Sequence, residues 1–239
     1  MKPCVSFVKL KKVTILAETP DYIVVDKPTG LVVHQASQHP EPDTLVNELL
    51  LRYPEIATVG DDLTRPGIVQ RLDQGVSGVM VVARTQDMFE HLKQQFSQHL
   101  VKKHYTALVH GTMGQPEGEI NFAIARSSKD YTKMAARPDD TGKTAITRYN
   151  VIRQYPKYAL LDVEILTGRT HQIRVHLNAI NHPLVGEAIY KPKNLKSRLQ
   201  PGRPFLHSTS LGFYLPNGSL VGYTAPLPEP LQAILDGLH

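Results

Sequence analysis

Leu166-Thr167-Gly168-Arg169-Thr170-His171-Gln172-Ile173-Arg174-Val175-His176 follows directly on an apolar, β-branched run, Tyr158–Ile165. The run reads as a strand and Gly168 as the turn that ends it. Ile173, Leu177 and Ile180 recur at helical spacing and predict a helix over His171–Ile180, capped by Thr170. The amides opening that helix could hold a phosphate or a carboxylate, and Arg169, His171 and Arg174 add donors. An ordinary strand–helix elbow with surface arginines fits the same residues.

Working outward, strand-like runs recur at Val13–Leu16, Tyr22–Val25, Val79–Ala83, Tyr105–Val109, Ala145–Val151 and Leu220–Tyr223. Glu18-Thr19-Pro20-Asp21 lies between the first two and predicts a hairpin. Helices are fewer. Thr44–Tyr53 carries Leu45, Leu49 and Leu50. Thr85–Leu100 places Phe89, Leu92, Phe96 and Leu100 at helical spacing, with Thr85 as cap and Asp87 and Glu90 near the positive end. Pro228–Leu238 reads as a last helix opened by Pro228 or Pro230. Strands outnumber helices and do not alternate with them. That predicts an α+β fold with a mixed, mostly antiparallel central sheet and flanking helices.

Composition excludes several classes. Of 239 residues, 41% are hydrophobic and 21% charged, ordinary for a globular chain. One cysteine, Cys4, excludes an internal disulfide framework and a cysteine-based zinc site. No apolar run approaches the 18 or so residues of a membrane span. Lysines crowd the short apolar stretch after Met1, unlike a secretory signal, so a cytoplasmic location without membrane contact is expected. The net charge of +5 permits nucleic acid without requiring it. No GxGxxG, P-loop, HExxH or GxSxG motif occurs. His171 and His176 stand five apart, about 140° on a regular helix, which argues against a shared metal.

Two other segments could carry chemistry. Arg65–Gly78 places Asp73 between Arg71 and a Gly75/Ser77/Gly78 turn, at the mouth of a strongly apolar strand. Such an acid is a turn cap, or a nucleophile or base. Lys102–Gly111 leads from two lysines into a strand bearing Tyr105, which on its own is as well a core aromatic. Two basic excursions, Arg126–Lys143 and Lys191–Arg203, read as solvated loops or as a phosphate-contact surface.

Taken in order, these segments resemble the RluA family of pseudouridine synthases. The family's H-R-L-D-x-x-T-S-G is matched by Gln70-Arg71-Leu72-Asp73-Gln74-Gly75-Val76-Ser77-Gly78. Its K-x-Y-x-A-L-V-x-G is matched by Lys103–Gly111, and its L-T-G-R-T-H-Q-I-R-V-H stands unbroken at Leu166–His176. Asn181–Tyr190 follows the family's G-H-P-L-x-G-D-x-x-Y. Val25–Leu31, Gly142–Thr147, Phe205–Ser208 and Ala225–Pro228 match further motifs, so the resemblance covers about residues 13–230. Gln70 and Val76 depart from the family's histidine and threonine. Asn181 departs from a glycine, a mild change because asparagine tolerates positive φ.

The resemblance implies isomerisation of uridine to pseudouridine in structured RNA, ribosomal or transfer. Asp73 would be the catalytic carboxylate, acting either as nucleophile or on the ribose. Arg174 would be its partner, and Tyr105 would stack on uracil and take the C5 proton. Leu72 and Ile173 would exclude water from the pocket. Arg71, Arg169 and Lys143 would grip the RNA once the target base has flipped out. No cofactor and no metal is implied. A monomer is expected, with residues 1–12 as a basic extension, 13–239 as the catalytic domain and no S4-type RNA-binding module. The competing readings are a catalytically silent RNA-binding or ribosome-assembly protein on the same fold, a nucleoside hydrolase, and a metal hydrolase using His171 and His176.

Overall fold

The computed structural model describes residues 13–35, 43–139 and 141–239. The basic extension expected at residues 1–12 lies outside the described residues. The hairpin opens the described chain. Strands β1 (Thr14–Glu18) and β2 (Tyr22–Lys27) pair antiparallel. Thr19 Oγ1 fixes their turn by accepting from the Tyr22 amide at 3.0 Å.

Helix α1 (Leu45–Arg52) is capped by Thr44, whose hydroxyl accepts from the Asn47 amide at 3.1 Å. Strand β3 (Ser77–Ala83) is buried at every residue, and α2 (Gln86–Ser97) is capped by Thr85 as anticipated. Then come β4 (Lys102–His110), β5 (Glu117–Ile120), β6 (Ala123–Arg126), β7 (Met134–Arg137), β8 (Thr147–Gln154) and β9 (Tyr158–Ile165). Helix α3 (Gln172–Ala179), β10 (Leu206–Tyr214), β11 (Leu220–Thr224) and α4 (Glu229–Asp236) complete the chain.

The main sheet runs β1-β2-β3-β10-β4-β9-β8-β5, with β11 also on β10. Every pairing is antiparallel except β3 with β10. The architecture is thus α+β with a mixed, mostly antiparallel sheet. Strands β2 and β3 are apolar without alternation because both faces of the sheet are covered. Ile23, Val25, Met80 and Val82 face a core with Leu45 and Leu49 of α1 and Leu177 of α3. Val24, Val79 and Val81 face Phe89 and Leu92 of α2 on the other side. Among the described residues no helix is long and apolar enough to cross a membrane.

Three expectations need correction. Residues 126–143 are not one solvated loop. Arg126 ends β6 and Met134–Arg137 forms β7, and the two strands make a separate hairpin too short for a periodic signal. Strand β10 gave no apolar run because polar His207 and Ser208 sit buried near its start. Each is satisfied locally, His207 Nδ1 by Ser77 Oγ at 2.9 Å and Ser208 Oγ by the Val79 carbonyl at 3.2 Å. Thr170 does not cap α3. That position falls to His171, which takes the left-handed conformation at φ 56°. Asn181 adopts φ 65°, as its match to a glycine anticipates.

Candidate active site

Asp73 stands just before β3 at the centre of the sheet. The Val76 amide donates to its carbonyl at 3.0 Å and closes a turn over 73–76. That turn is pinned to the loop after β2. Gly30 N donates to the Gln74 carbonyl at 2.7 Å, and Thr29 Oγ1 donates to the Gly75 carbonyl at 3.1 Å. The segment 25–31 is therefore scaffold for the turn. Gly78, at φ +120°, lets β3 approach β10: a Cβ there would overlap the Ser208 carbonyl.

Opposite the turn, α3 delivers Arg174. Its Nη1 donates to Asp73 Oδ2 at 3.1 Å, while Nε and Nη2 donate in a fork to Glu187, both at 2.8 Å. The Arg174 side chain is 8% exposed, Glu187 0% and Asp73 26%. The guanidinium is thus rooted in the interior by one carboxylate and presented to the other at the cavity wall. Burial alone would pull its pKa down, but the two carboxylates outweigh it and hold it above its usual range. For Glu187 burial pushes upward, and the Arg174 hydrogen bonds and charge bring it below the usual carboxylate range.

The network continues. Tyr190 Oη lies 2.6 Å from His171 Nδ1 and accepts from the Met134 amide of β7 at 3.0 Å. The Arg174 guanidinium lies 5.2 Å above the Tyr190 ring. His171 Nε2 is 3.7 Å from Asp73 Oδ2. Burial lowers the His171 pKa despite the Asp73 charge, so the imidazole is neutral near pH 7. The left-handed backbone of this non-glycine residue costs about 1–2 kcal/mol, which the surrounding contacts must offset.

Asp73, His171 and Arg174 line a small cavity of about 80 Å³ with Leu72, Val76, Tyr105, Ile173 and Leu206. Tyr105 comes from β4, paired with Ser208 of β10. Burial drives its hydroxyl well above the usual phenol range, with Ser208 opposing and Asp73 adding to the rise. It is a neutral phenol in this site. Leu72 and Ile173 are buried.

A second cavity of about 410 Å³ adjoins the first and shares Arg71, Leu72, Asp73, Gly168 and Arg169 with it. Arg71 is exposed on their common rim. Arg169 is partly tied down, its Nε donating to the Thr144 carbonyl at 3.0 Å. Lys143 pairs through its backbone with Ile124 and shares a third hollow of about 460 Å³ with Arg126 and Arg169. Arg71 and Arg169 thus line both cavities that Asp73 lines, and Lys143 lies in the neighbouring hollow that Arg169 also lines.

Other cations and polar groups of the matched segments turn inward. Lys103 is buried, its ammonium 5.6 Å from the Phe96 ring, so it does not face RNA. Arg203 donates to Ser77 Oγ at 2.8 Å and is no clamp, contrary to its place in the second basic excursion. His176 is buried between Thr147 Oγ1 and the Phe122 carbonyl, each at 2.9 Å. It and His171 share no metal geometry. Gln172 ties the elbow together, accepting from Thr167 Oγ1 and Arg169 N and donating to Ile146 O and Thr147 Oγ1. With the Arg169 amide so engaged, the elbow is less open to an anion than its sequence implies. Sequence reasoning assigned no role to Glu187 or Tyr190, although both lie in a matched motif. Their signal was an acid three residues before a tyrosine inside that motif.

Fold and site define an α+β enzyme that presents a guanidinium-held aspartate in a cleft rimmed by cations. Residues 21–179 match the model for the RNA pseudouridylate synthase family. The chain is 44% identical over 216 residues to an RNA pseudouridine synthase of Chloroflexus aurantiacus, covering 90% of this chain and 66% of that one. It is 37% identical over 227 residues to ribosomal large subunit pseudouridine synthase D of Zymomonas mobilis, covering 92% and 71%. The chain spans about two thirds of the length of these curated relatives. Its fold matches that of human RNA Pseudouridylate Synthase Domain Containing 1 at a TM-score of 0.74 and 24% identity, over 95% of this chain and 86% of that one. The chain belongs to the RNA pseudouridylate synthase family, whose members isomerise uridine in RNA to pseudouridine.

Proposed function

We propose that this chain converts uridine to pseudouridine in structured RNA, with large-subunit ribosomal RNA the first substrate to test because relatives are named for it. Residues 13–239 act as the catalytic domain, with 1–12 as a basic extension. The enzyme works as a cytoplasmic monomer without a cofactor, since the isomerisation is redox-neutral. The observation that carries this reading is the hold of buried Arg174 on Asp73 in the cavity that Tyr105 also lines.

Asp73 is the catalytic carboxylate. Arg174 binds Oδ2 and leaves Oδ1 for attack on C1′ or for work on the ribose. The N1–C1′ bond breaks, the uracil turns, C5 bonds to C1′, C5 loses its proton and N1 gains one. Tyr105 supplies a stacking face beside the base. As a neutral phenol it accepts the C5 proton only while passing its own onward, and Ser208 is the neighbouring hydroxyl. Leu72 and Ile173 exclude water. Arg71 stands where it can enter the place vacated by the flipped base, and Arg169 and Lys143 meet the backbone phosphates.

The test maps pseudouridines in total RNA from cells lacking the protein, then complemented with wild type or Asp73→Asn. A site lost on deletion, restored by wild type and not by Asp73→Asn, supports the enzyme. Restoration by Asp73→Asn sinks the Asp73 role. An unchanged map, with ribosome assembly altered, favours the catalytically silent RNA-binding protein.

A further inference from the structure

We propose that His171 is a positioning residue for Asp73: a neutral imidazole whose Nε2–H is aimed at Oδ2, with its tautomer fixed by Tyr190. The inference rests on the reading of Asp73 as the catalytic carboxylate. It starts from a feature that local sequence does not require. The first residue before α3 is left-handed at φ 56°, though it is histidine and Thr170 is beside it. In that conformation the imidazole reaches into the small cavity, where it lines the wall with Asp73 and Arg174.

The hydrogen bonds around Tyr190 accommodate the proton on Nε2. The Met134 amide can only donate, so it occupies an acceptor position on Tyr190 Oη. The Tyr190 hydroxyl proton is then free to donate to His171 Nδ1 at 2.6 Å. This assignment satisfies both partners and leaves the neutral ring with its proton on Nε2. Nε2 faces Asp73 Oδ2 at 3.7 Å. Arg174 Nη1 already donates to that same oxygen at 3.1 Å. Both donors address Oδ2 and neither addresses Oδ1. At 3.7 Å the imidazole stands just beyond hydrogen-bond range of the oxygen that Arg174 already holds, and the other oxygen is left to react.

The groups facing the ring are Asp73, Arg174, Glu187 and Tyr190. Tyr190's own anchor, the Met134 amide, belongs to β7, in the hairpin whose β6 brings Arg126 to the rim hollow beside Arg169. The imidazole is therefore tied at one end to an outer element of the site and aimed at the reacting group at the other.

His171→Gly is the suitable variant, because glycine keeps the left-handed backbone without strain. The assay follows tritium release from C5-tritiated uridine in the RNA found above, giving kcat and KM, with Asp73→Asn run beside it. The expected result is a roughly 10- to 100-fold fall in kcat, the scale of a displaced reacting group, with KM within twofold. Added imidazole restores part of kcat. Tyr190→Phe, which leaves the backbone of His171 untouched, falls in kcat in the same direction by less. Thermal melts establish that each variant is folded, and Tyr190→Phe alone decides if the glycine variant is not. An unchanged kcat in either variant, a loss confined to KM, or a kcat loss that imidazole leaves untouched overturns the proposal. If Asp73→Asn is dead while His171→Gly is fully active, only this inference fails. If Asp73→Asn turns over like wild type, the reading beneath it fails as well.

Discussion

Replacing Glu187 by glutamine removes one charge and almost no volume at the root of the site. Four donors converge on this carboxylate: Arg174 Nε on Oε2, and Arg174 Nη2, Ile189 N and Tyr190 N on Oε1. A glutamine that keeps its oxygen where three donors meet turns its own NH2 toward Arg174 Nε, a donor against a donor. Arg174 then remains buried with only Asp73 to balance it. Removing one partner of a buried ion pair costs about 3–5 kcal/mol, and the retained hydrogen bonds place this case near the lower end. For a chain of 239 residues, about 3 kcal/mol lowers Tm by roughly 6–12 °C. Because the folded Glu187 pKa lies below its unfolded value, its contribution is complete above the unfolded value, about 4.3, and is lost as pH falls through the folded one. The gap in Tm between wild type and Glu187→Gln, measured by calorimetry, therefore closes in acid. With its anchor weakened, the guanidinium leans toward Asp73 and kcat falls more than RNA affinity. A gap that stays constant from neutral pH down to roughly pH 3, or a Tm unchanged at neutral pH, refutes the reasoning.

Further outcomes follow from other parts of the molecule. Gly78→Ala drives a Cβ into the Ser208 carbonyl at the β3–β10 crossing, so the protein is expected to be lost from the soluble fraction or to melt far below wild type. Arg71→Ala and Lys143→Ala each weaken RNA binding with the fold intact. The slope of log K against log salt drops by about 1 for each phosphate no longer neutralised, and an unchanged slope removes that residue from the interface. Burial lowers the Lys103 ammonium to about 8, with Glu164 opposing. Between that value and the unfolded one, near 10.4, the folded state binds fewer protons, so stability climbs with pH. Lys103→Met flattens the climb in melts taken across that range.

The fold was legible where burial left long signals. Strands β2, β3, β4 and β9 are apolar because helices cover both faces of the sheet, and Thr44 and Thr85 cap as their hydroxyls predict. It was illegible where a strand's interior is polar. His207 and Ser208 give no strand signal, and their partners Ser77 and Val79 lie about 130 positions away. Asp73, Tyr105 and Arg174 could be named because their motifs are ordered along the chain. That they meet could not be derived locally, since the Asp73–Arg174 contact spans 101 positions.

The same limit governs the charges. A count of lysines and arginines adds those that face solvent to those that serve the interior, and the segments 102–103 and 191–203 contain both kinds. Lys102 is exposed while Lys103 packs on Phe96, because adjacent residues of β4 point to opposite faces of the sheet. Arg203 sits in a run that reads as a basic loop, yet it closes over Ser77, the residue that opens β3 four positions after Asp73. Its cation serves the strand that follows the Asp73 turn and not the cavity mouth. The cations that line the cavities around the elbow are Arg71, Arg126, Lys143 and Arg169, drawn from three stretches of chain. The packing of β6 and the 166–171 elbow brings Arg126, Lys143 and Arg169 to one hollow, and Arg169 is shared with the cavity that Arg71 and Asp73 line, so no single window of sequence holds the set.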